Sequence, residues 1–403
     1  MALSKSQLRE WSREHMKGVE GCIFPSFNLD MSELDEDGIR LDVRQSIRHG
    51  FFSVLVAAET GVSFEEAKRM VEIVADEARD KILVSVTILF DSMDQNMQML
   101  QHAEKVGCHT VLLGYPPSYY PKTEDEIYAI TAQMCDSTNL GVVLYPTPHY
   151  NFERFHPSGY RPALLNRFVN DFENVVAIKV GEPGLAADCA RYFGDKILVN
   201  CPVERNLPLC VQAFKQQWIG AGCYEVYQSP EKPYLVRYFN LLMEGKWDEA
   251  MDIYWMLTIA RVTFEQQFMP TAMLGTYNWN MQKFYQWAVG GNGGFVRQPC
   301  MKPHQHEMEA TRMAYRMIGI NPNVNDEEFY IGKCNYARLG KSSQVPEFKP
   351  PFPVPGAGSP DLKPPFPIPG GTGPEAGPPP WGEGAPPPWV QGGFPPSGKD
   401  RPR

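Results

Sequence analysis

Eight short apolar runs, each followed by a segment of helical periodicity, recur along the first 228 residues. They are GCIFPSF (21–27), SVLVAA (53–58), ILVSVTILF (82–90), HTVLLGY (109–115), LGVVLYP (140–146), NVVAIKV (174–180), KILVNCP (196–202) and WIGAGC (218–223). Continuous aliphatic stretches without polar alternation are the pattern of strands buried on both faces, as parallel sheets covered by helices provide. Between them, Ser63-x-x-Glu66, Ser92-x-x-Gln95 and Thr123-x-x-Glu126 each open a helix-period segment with the residues of a capping box. Strand–helix alternation repeated eight times over roughly 200–250 residues predicts an α/β fold, a (β/α)8 TIM barrel. A doubly wound open sheet competes, but no GxGxxG or GxxxxGK[ST] follows an early strand.

Composition divides the chain. Residues 1–17 form a polar N-terminal segment, 18–228 carry the barrel strands and most of its helices, and 229–340 read as the last barrel helix plus an appended helical region. The remainder, 341–403, is a Pro/Gly-rich tail: 20 of the 37 prolines lie in 346–403. KPPFPVPGAGSPDL (349–362) is echoed by KPPFPIPGGTGPEA (363–376), and GPPPWGEG (377–384) by APPPWVQG (385–392). Such a segment has too little aliphatic surface to fold and is expected to be disordered, with polyproline II character. Its repeated aromatics suit the aromatic-lined groove of a protein partner; the alternative is a spacer without a partner.

The net charge of −9 argues against non-specific nucleic-acid or anionic-membrane binding. No apolar run approaches the ~18 residues of a membrane span, and the N-terminus has no apolar leader. Nine cysteines without CxxC spacing read as reduced core residues of a cytoplasmic protein, not as a zinc site or disulfide frame. His304 and His306 are two residues apart, which does not place both imidazoles on one helical face, so no metal is expected. GGNGG (290–294) follows no strand and reads as a flexible turn, with Arg297 just beyond it as an anion-binding candidate.

One residue breaks the apolar pattern. Lys179 sits inside NVVAIKVGEPG, and a lysine enters a doubly buried strand only when it is paired or has chemical work to do. In a barrel, chemistry sits at the C-terminal ends of the strands. There Lys179 ends the sixth strand, Tyr145 ends the fifth, and the PPSYYPK loop follows the fourth. Burial disfavours a lysine's ammonium form and frees an amine to attack a ketone; the resulting imine is an electron sink for cleaving a neighbouring bond. A phenol beside it can give and take protons. The bland reading is a lysine that snorkels to solvent or pairs with Glu182 or Glu59.

Over about residues 18–320 the sequence resembles the dihydrodipicolinate synthase / N-acetylneuraminate lyase family of class I Schiff-base aldolases. Tyr145-Pro146-Thr147-Pro148 at the end of the fifth strand, Ile178-Lys179 at the end of the sixth, and Pro117-Ser118-Tyr119-Tyr120-Pro121-Lys122-Thr123-Glu124 after the fourth carry the resemblance. It implies Lys179 as the Schiff-base lysine, Tyr145 as the proton-relay phenol and Tyr119 as an aromatic hydroxyl reached from a neighbouring subunit. It also implies a homo-oligomer, a tetramer or dimer. Where the family has Gly-[ST]-Thr-Gly-Glu after the second strand, this chain has Ala58-Glu59-Thr60-Gly61-Val62. Thr60 and Gly61 remain to hold a polar group of the substrate. Glu59 places a carboxylate where a hydroxyl is usual; it repels a 2-oxo acid unless it is protonated or turned away. Lysine-biosynthetic members carry an arginine five residues after the strand-five tyrosine; here that residue is Tyr150. An aromatic there is similar to the hydratase-aldolase branch, which cleaves aryl-substituted pyruvate adducts, although Tyr150 packing under the rim is equally consistent.

The expectation is a lyase acting on a small-molecule carbonyl substrate by reversible aldol cleavage or condensation, with hydration or dehydration coupled to it. It needs no cofactor beyond the covalent imine with Lys179. Alternatives are a dehydratase on the same Lys/Tyr pair and a catalytically lapsed barrel that displays the proline-rich tail.

Overall fold

In the computed structural model the described residues are 3–59, 61–220, 222–272 and 276–343. Thr60 and the predicted tail from residue 344 onward lie outside them.

The eight apolar runs form eight strands: β1 (Gly18–Ile23), β2 (Ser53–Val56), β3 (Leu83–Ile88), β4 (Thr110–Leu113), β5 (Gly141–Leu144), β6 (Val175–Lys179), β7 (Leu198–Asn200) and β8 (Trp218–Ile219). All pair in parallel, in the order β7-β6-β5-β4-β3-β2-β1-β8, with helices between them. This is a nearly closed TIM barrel. At the seam between β7 and β8 a side chain bridges the strands: Asn200 Nδ2 donates to the Trp218 carbonyl at 2.7 Å. Strand boundaries fall a few residues inside the apolar runs, because each run continues into the loop at the barrel's mouth. β1 instead begins earlier than its run, at Gly18, and so includes the charged Glu20.

All three cap residues accept a hydrogen bond as expected, but only the first of the three capping boxes closes. Ser63 Oγ accepts from the Glu66 N–H at 3.2 Å while Glu66 accepts from the Ser63 N–H at 2.8 Å, a complete capping box. Ser92 and Thr123 accept from the Gln95 and Glu126 N–H groups, each at 3.2 Å. Glu126 itself turns back to the Lys122 N–H rather than to its cap residue.

The polar N-terminal segment contains a helix, Leu8–His15, that closes the N-terminal end of the barrel. Arg9 donates to the carbonyls of Val175, Val169 and Phe172 at 2.6–3.0 Å, where β6 begins. Beyond the barrel come helices Tyr234–Met243, Trp247–Met256, Thr258–Ala272, Trp279–Ala288 and Gln305–Met317, the appended helical region expected from the sequence. Every residue of Trp279–Ala288 is buried. It lies across the C-terminal mouth: Lys283 Nζ donates to the Pro25 carbonyl at 2.7 Å and Gln286 Nε2 to the Cys22 carbonyl at 2.7 Å.

GGNGG is not a free turn. Asn292 is buried; its N–H donates to Asp42 at 2.6 Å and its side chain to Ser26 at 3.1 Å. The glycines let the backbone reach this junction, with positive φ at Gly290, Gly293 and Gly294. The flexible turn expected from these glycines is instead a place of close packing around one asparagine. Among the described residues no helix is long and apolar enough to cross a membrane.

Candidate active site

The strand register brings Lys179 and Tyr145 together. Leu144 of β5 pairs with Ile178 of β6, so the next residue on each strand, Tyr145 and Lys179, emerges at the same level of the mouth. Lys179 Nζ lies 5.0 Å from the centroid of the Tyr145 ring. Lys179 is only 6% exposed, and the rest of β6 is fully apolar and buried. Glu182, a candidate ion-pair partner from the sequence, is used elsewhere. Its carboxylate caps the helix Pro183–Phe193, accepting from the Gly184 and Leu185 N–H groups at 2.8 and 2.5 Å.

Two further buried polar residues, Asn200 and Glu20, lie near the lysine. Lys179 pairs in register with Asn200, and Glu20 on β1 accepts from Ser53 Oγ at 3.0 Å. Burial raises the Glu20 carboxyl to about 7, against the pull of the Lys179 charge and the Ser53 hydroxyl. The criterion that exposed Lys179, a charge inside an apolar strand, applies equally to Glu20 once β1 is extended back to Gly18.

Above the lysine, the Tyr145 hydroxyl is hydrogen-bonded to the Tyr277 hydroxyl at 3.0 Å, and His149 Nε2 is bonded to the same Tyr277 hydroxyl at 3.0 Å. Burial, then the Lys179 charge, lowers the His149 pKa, which keeps its imidazole neutral near pH 7. Tyr277 comes from the stretch between two appended helices, where no spacing or motif marks it in the sequence.

Tyr119 takes a different position from Tyr277. Its hydroxyl donates to the Glu126 carbonyl at 2.9 Å, and its ring stacks on Tyr115 at 5.7 Å. No contact joins it to Tyr145 within the chain among the described residues. Tyr150 is 7% exposed and packs edge-on to Tyr115 at 5.0 Å, in a cluster with Phe152. Its hydroxyl sits where a Cβ on Gly114 would be, 2.6 Å away, so glycine at the end of β4 is what admits this phenol.

Glu59 keeps a partly exposed edge, but its Oε2 is buried with no hydrogen-bond partner among the described residues. Burial raises its carboxyl to about 8, opposed by a hydrogen bond from its own backbone. At neutral pH this group is therefore mostly the uncharged acid. Gly61 has φ +75°, and a Cβ there would lie 2.8 Å from Val296 and 2.9 Å from the Arg297 carbonyl. The altered loop is thus pinned against the segment that follows GGNGG. Arg297 is committed to that junction: Nη1 donates to both Glu66 carboxylate oxygens at 2.9 Å and Nε to the Met31 carbonyl at 2.6 Å. Thr60 lies outside the described residues. Among those residues no group of three or more His, Cys, Asp and Glu side chains is arranged to hold a metal ion.

Comparison with known proteins places this architecture. The model of the dihydrodipicolinate synthetase family matches residues 15–203, just under half of the chain. The 4-hydroxy-tetrahydrodipicolinate synthase of Methanopyrus kandleri is 22% identical over 262 residues, covering 62% of this chain and 82% of that protein. That of Thermotoga petrophila is 28% identical over 174 residues, 42% of this chain and 56% of its own length. Among solved structures, N-acetylneuraminate lyase from Fusobacterium nucleatum superposes with a TM-score of 0.62 at 19% identity, over 75% of this chain and 98% of its own. A dihydrodipicolinate synthase superposes with a TM-score of 0.60, also at 19% identity, over 75% and 99%. At such identities the structural likeness is one of fold. The family-model match and these relatives make part of the chain similar to the dihydrodipicolinate synthetase family, and they do not separate its lysine-biosynthetic and hydratase-aldolase branches.

Proposed function

We propose that the chain is a Schiff-base lyase of the aldolase type, acting on a 2-oxo acid or related ketone. The observation that carries this reading is the buried Lys179 amine 5.0 Å from the Tyr145 ring, on adjacent strand ends at the barrel mouth. The Lys179 amine attacks the substrate carbonyl carbon; the C–O bond then breaks and water leaves, giving a protonated imine. Cleavage of the neighbouring C–C bond sends its electron pair into the imine to form an enamine, while the substrate hydroxyl loses its proton towards Tyr145 and becomes the aldehyde carbonyl. Run backwards, the same steps condense the two fragments.

The neutral state of Glu59 bears on the carbonyl donor. As an acid it can donate a hydrogen bond to a 2-oxo acid's carboxylate instead of repelling it, so pyruvate remains a donor of choice. Tyr150 in place of the arginine of lysine-biosynthetic relatives, with Phe152 against it, favours an apolar or aryl aldehyde over one bearing a second carboxylate. A homo-oligomer is part of the proposal, with Tyr119 at the rim shared between subunits.

Retro-aldol and condensation assays with pyruvate and a set of aryl and polar aldehydes, read by product mass, test the reading. Products conserving the aldehyde carbon skeleton support it. Loss of water alone from a hydroxy-oxo acid, with no carbon–carbon bond made or broken, would move the assignment to a dehydratase.

A further inference from the structure

The aldolase reading leaves unexplained where the proton on Tyr145 goes, and the answer lies in the appended region. Tyr277 holds Tyr145 Oη on one side and His149 Nε2 on the other, both at 3.0 Å. Its ring is fixed by a stacked column: Tyr277 on Phe268 at 5.5 Å and 13°, and Phe268 on Phe264 at 4.9 Å and 13°. Phe264 and Phe268 are one helical turn apart on Thr258–Ala272. That helix is tied to the barrel by a buried, bidentate pair in which Arg261 donates to both carboxylate oxygens of Glu204. The His149 ring packs on Tyr277 at 5.1 Å.

We propose that Tyr277 and His149 form an in-chain proton relay from the Tyr145 phenol, so that each protomer completes the proton path of its own site. The proposal rests on the Schiff-base reading. In cleavage, the substrate hydroxyl proton passes to Tyr145 Oη, the Tyr145 proton to Tyr277 Oη, and the Tyr277 proton to His149 Nε2. Both phenols end neutral, the imidazole ends protonated, and the positive charge of the iminium has moved to His149 as the enamine forms. The groups facing the relay fit this direction. Tyr145, Tyr150 and Glu59 lie near Tyr277, and burial, reinforced by these neighbours, holds the Tyr277 hydroxyl in its protonated form. Lys179 is the cation facing His149 and favours its neutral, accepting state. Tyr277 and His149 are thus positioning and relay residues that act through Tyr145.

The test uses the full chain with three probes, pyruvate, 2-oxobutyrate and acetone. Imine formation is read by borohydride trapping, and exchange of the protons next to the carbonyl by NMR in D2O. Tyr277→Phe keeps the stacked ring and removes the bridge. The expected result is imine trapping like wild type, with exchange slowed by about 10²-fold, the low end for a lost acid–base step. His149→Gln should lose a similar factor and also the acid limb, where wild-type exchange falls as the imidazole protonates. The double variant should be no slower than either single one, since both break the same path. Unimpaired exchange in Tyr277→Phe, or losses that multiply in the double variant, would overturn the relay. A curved dependence of the wild-type rate on deuterium fraction, with more than one proton in flight, supports it without any variant, and a linear one contradicts it. No trapped imine with any of the three probes would instead overturn the Schiff-base reading beneath it.

Discussion

Replacing Glu59 by glutamine separates a buried neutral acid from a rim carboxylate. The Glu59 Oε2 is sealed from solvent without a partner among the described residues, and burial raises the carboxyl from 4.5 to about 8. Between these values the folded chain holds a proton that the unfolded chain has released. The sign follows: the contribution of Glu59 to stability is fully present below about pH 4.5 and is lost as pH rises through about 8. Each pH unit in that window removes about 1.4 kcal/mol, or roughly 4–5 kcal/mol across it. Glu59→Gln preserves the shape and the neutral state but cannot ionise. Other buried acids titrate in both proteins and cancel in the difference. The variant should therefore gain on wild type by about 1.4 kcal/mol per unit from pH 5 towards 8 and level off above about 9. Guanidinium unfolding of both proteins at half-unit steps reads this directly. A stability difference that does not change with pH would refute the buried neutral acid, and with it the argument that the mouth tolerates a carboxylate-bearing donor.

Other perturbations probe the remaining parts. Tyr145→Phe should still form a trappable imine while turnover falls by about 10²–10⁴, the range for loss of a general acid–base group; equal loss of trapping and turnover would make Tyr145 a binding residue instead. Arg261→Ala leaves the Glu204 carboxylate buried and unpaired and should cost about 3–5 kcal/mol in denaturant unfolding, with a loss under 1 kcal/mol contradicting the buried pair. Gly61→Ala forces a Cβ into Val296 and the Arg297 carbonyl at a positive φ, and about 1–3 kcal/mol of destabilisation is expected in the same assay.

The architecture was legible because parallel strands covered on both faces must be nearly continuous in apolar residues, and the eight runs follow that rule with few polar exceptions. Lys179 stood out by violating it, and Tyr145 followed because it ends the neighbouring strand. Glu20 violated the same rule but escaped, since glycines at 18 and 21 broke the apolar run around it. Tyr277 left no trace of this kind. Its role depends on a helix folding back over the mouth, and on a ring column whose members are separated from Tyr145 by more than a hundred residues. His149 carried no mark in the sequence, because its partner Tyr277 lies 128 residues further on. GGNGG misled in the other direction: the glycines that suggest freedom in one dimension permit dense packing in three. The polar N-terminal segment hid a helix whose arginine is spent on backbone carbonyls at the base of the barrel, a use of charge that composition does not reveal.

Borohydride trapping with pyruvate, 2-oxobutyrate and acetone, followed by peptide mapping, tests for a covalent imine on one lysine. A reduced adduct on Lys179, absent from Lys179→Ala, is the expected result. An adduct on another lysine such as Lys283, or no adduct with any of the three in the folded protein, would contradict it.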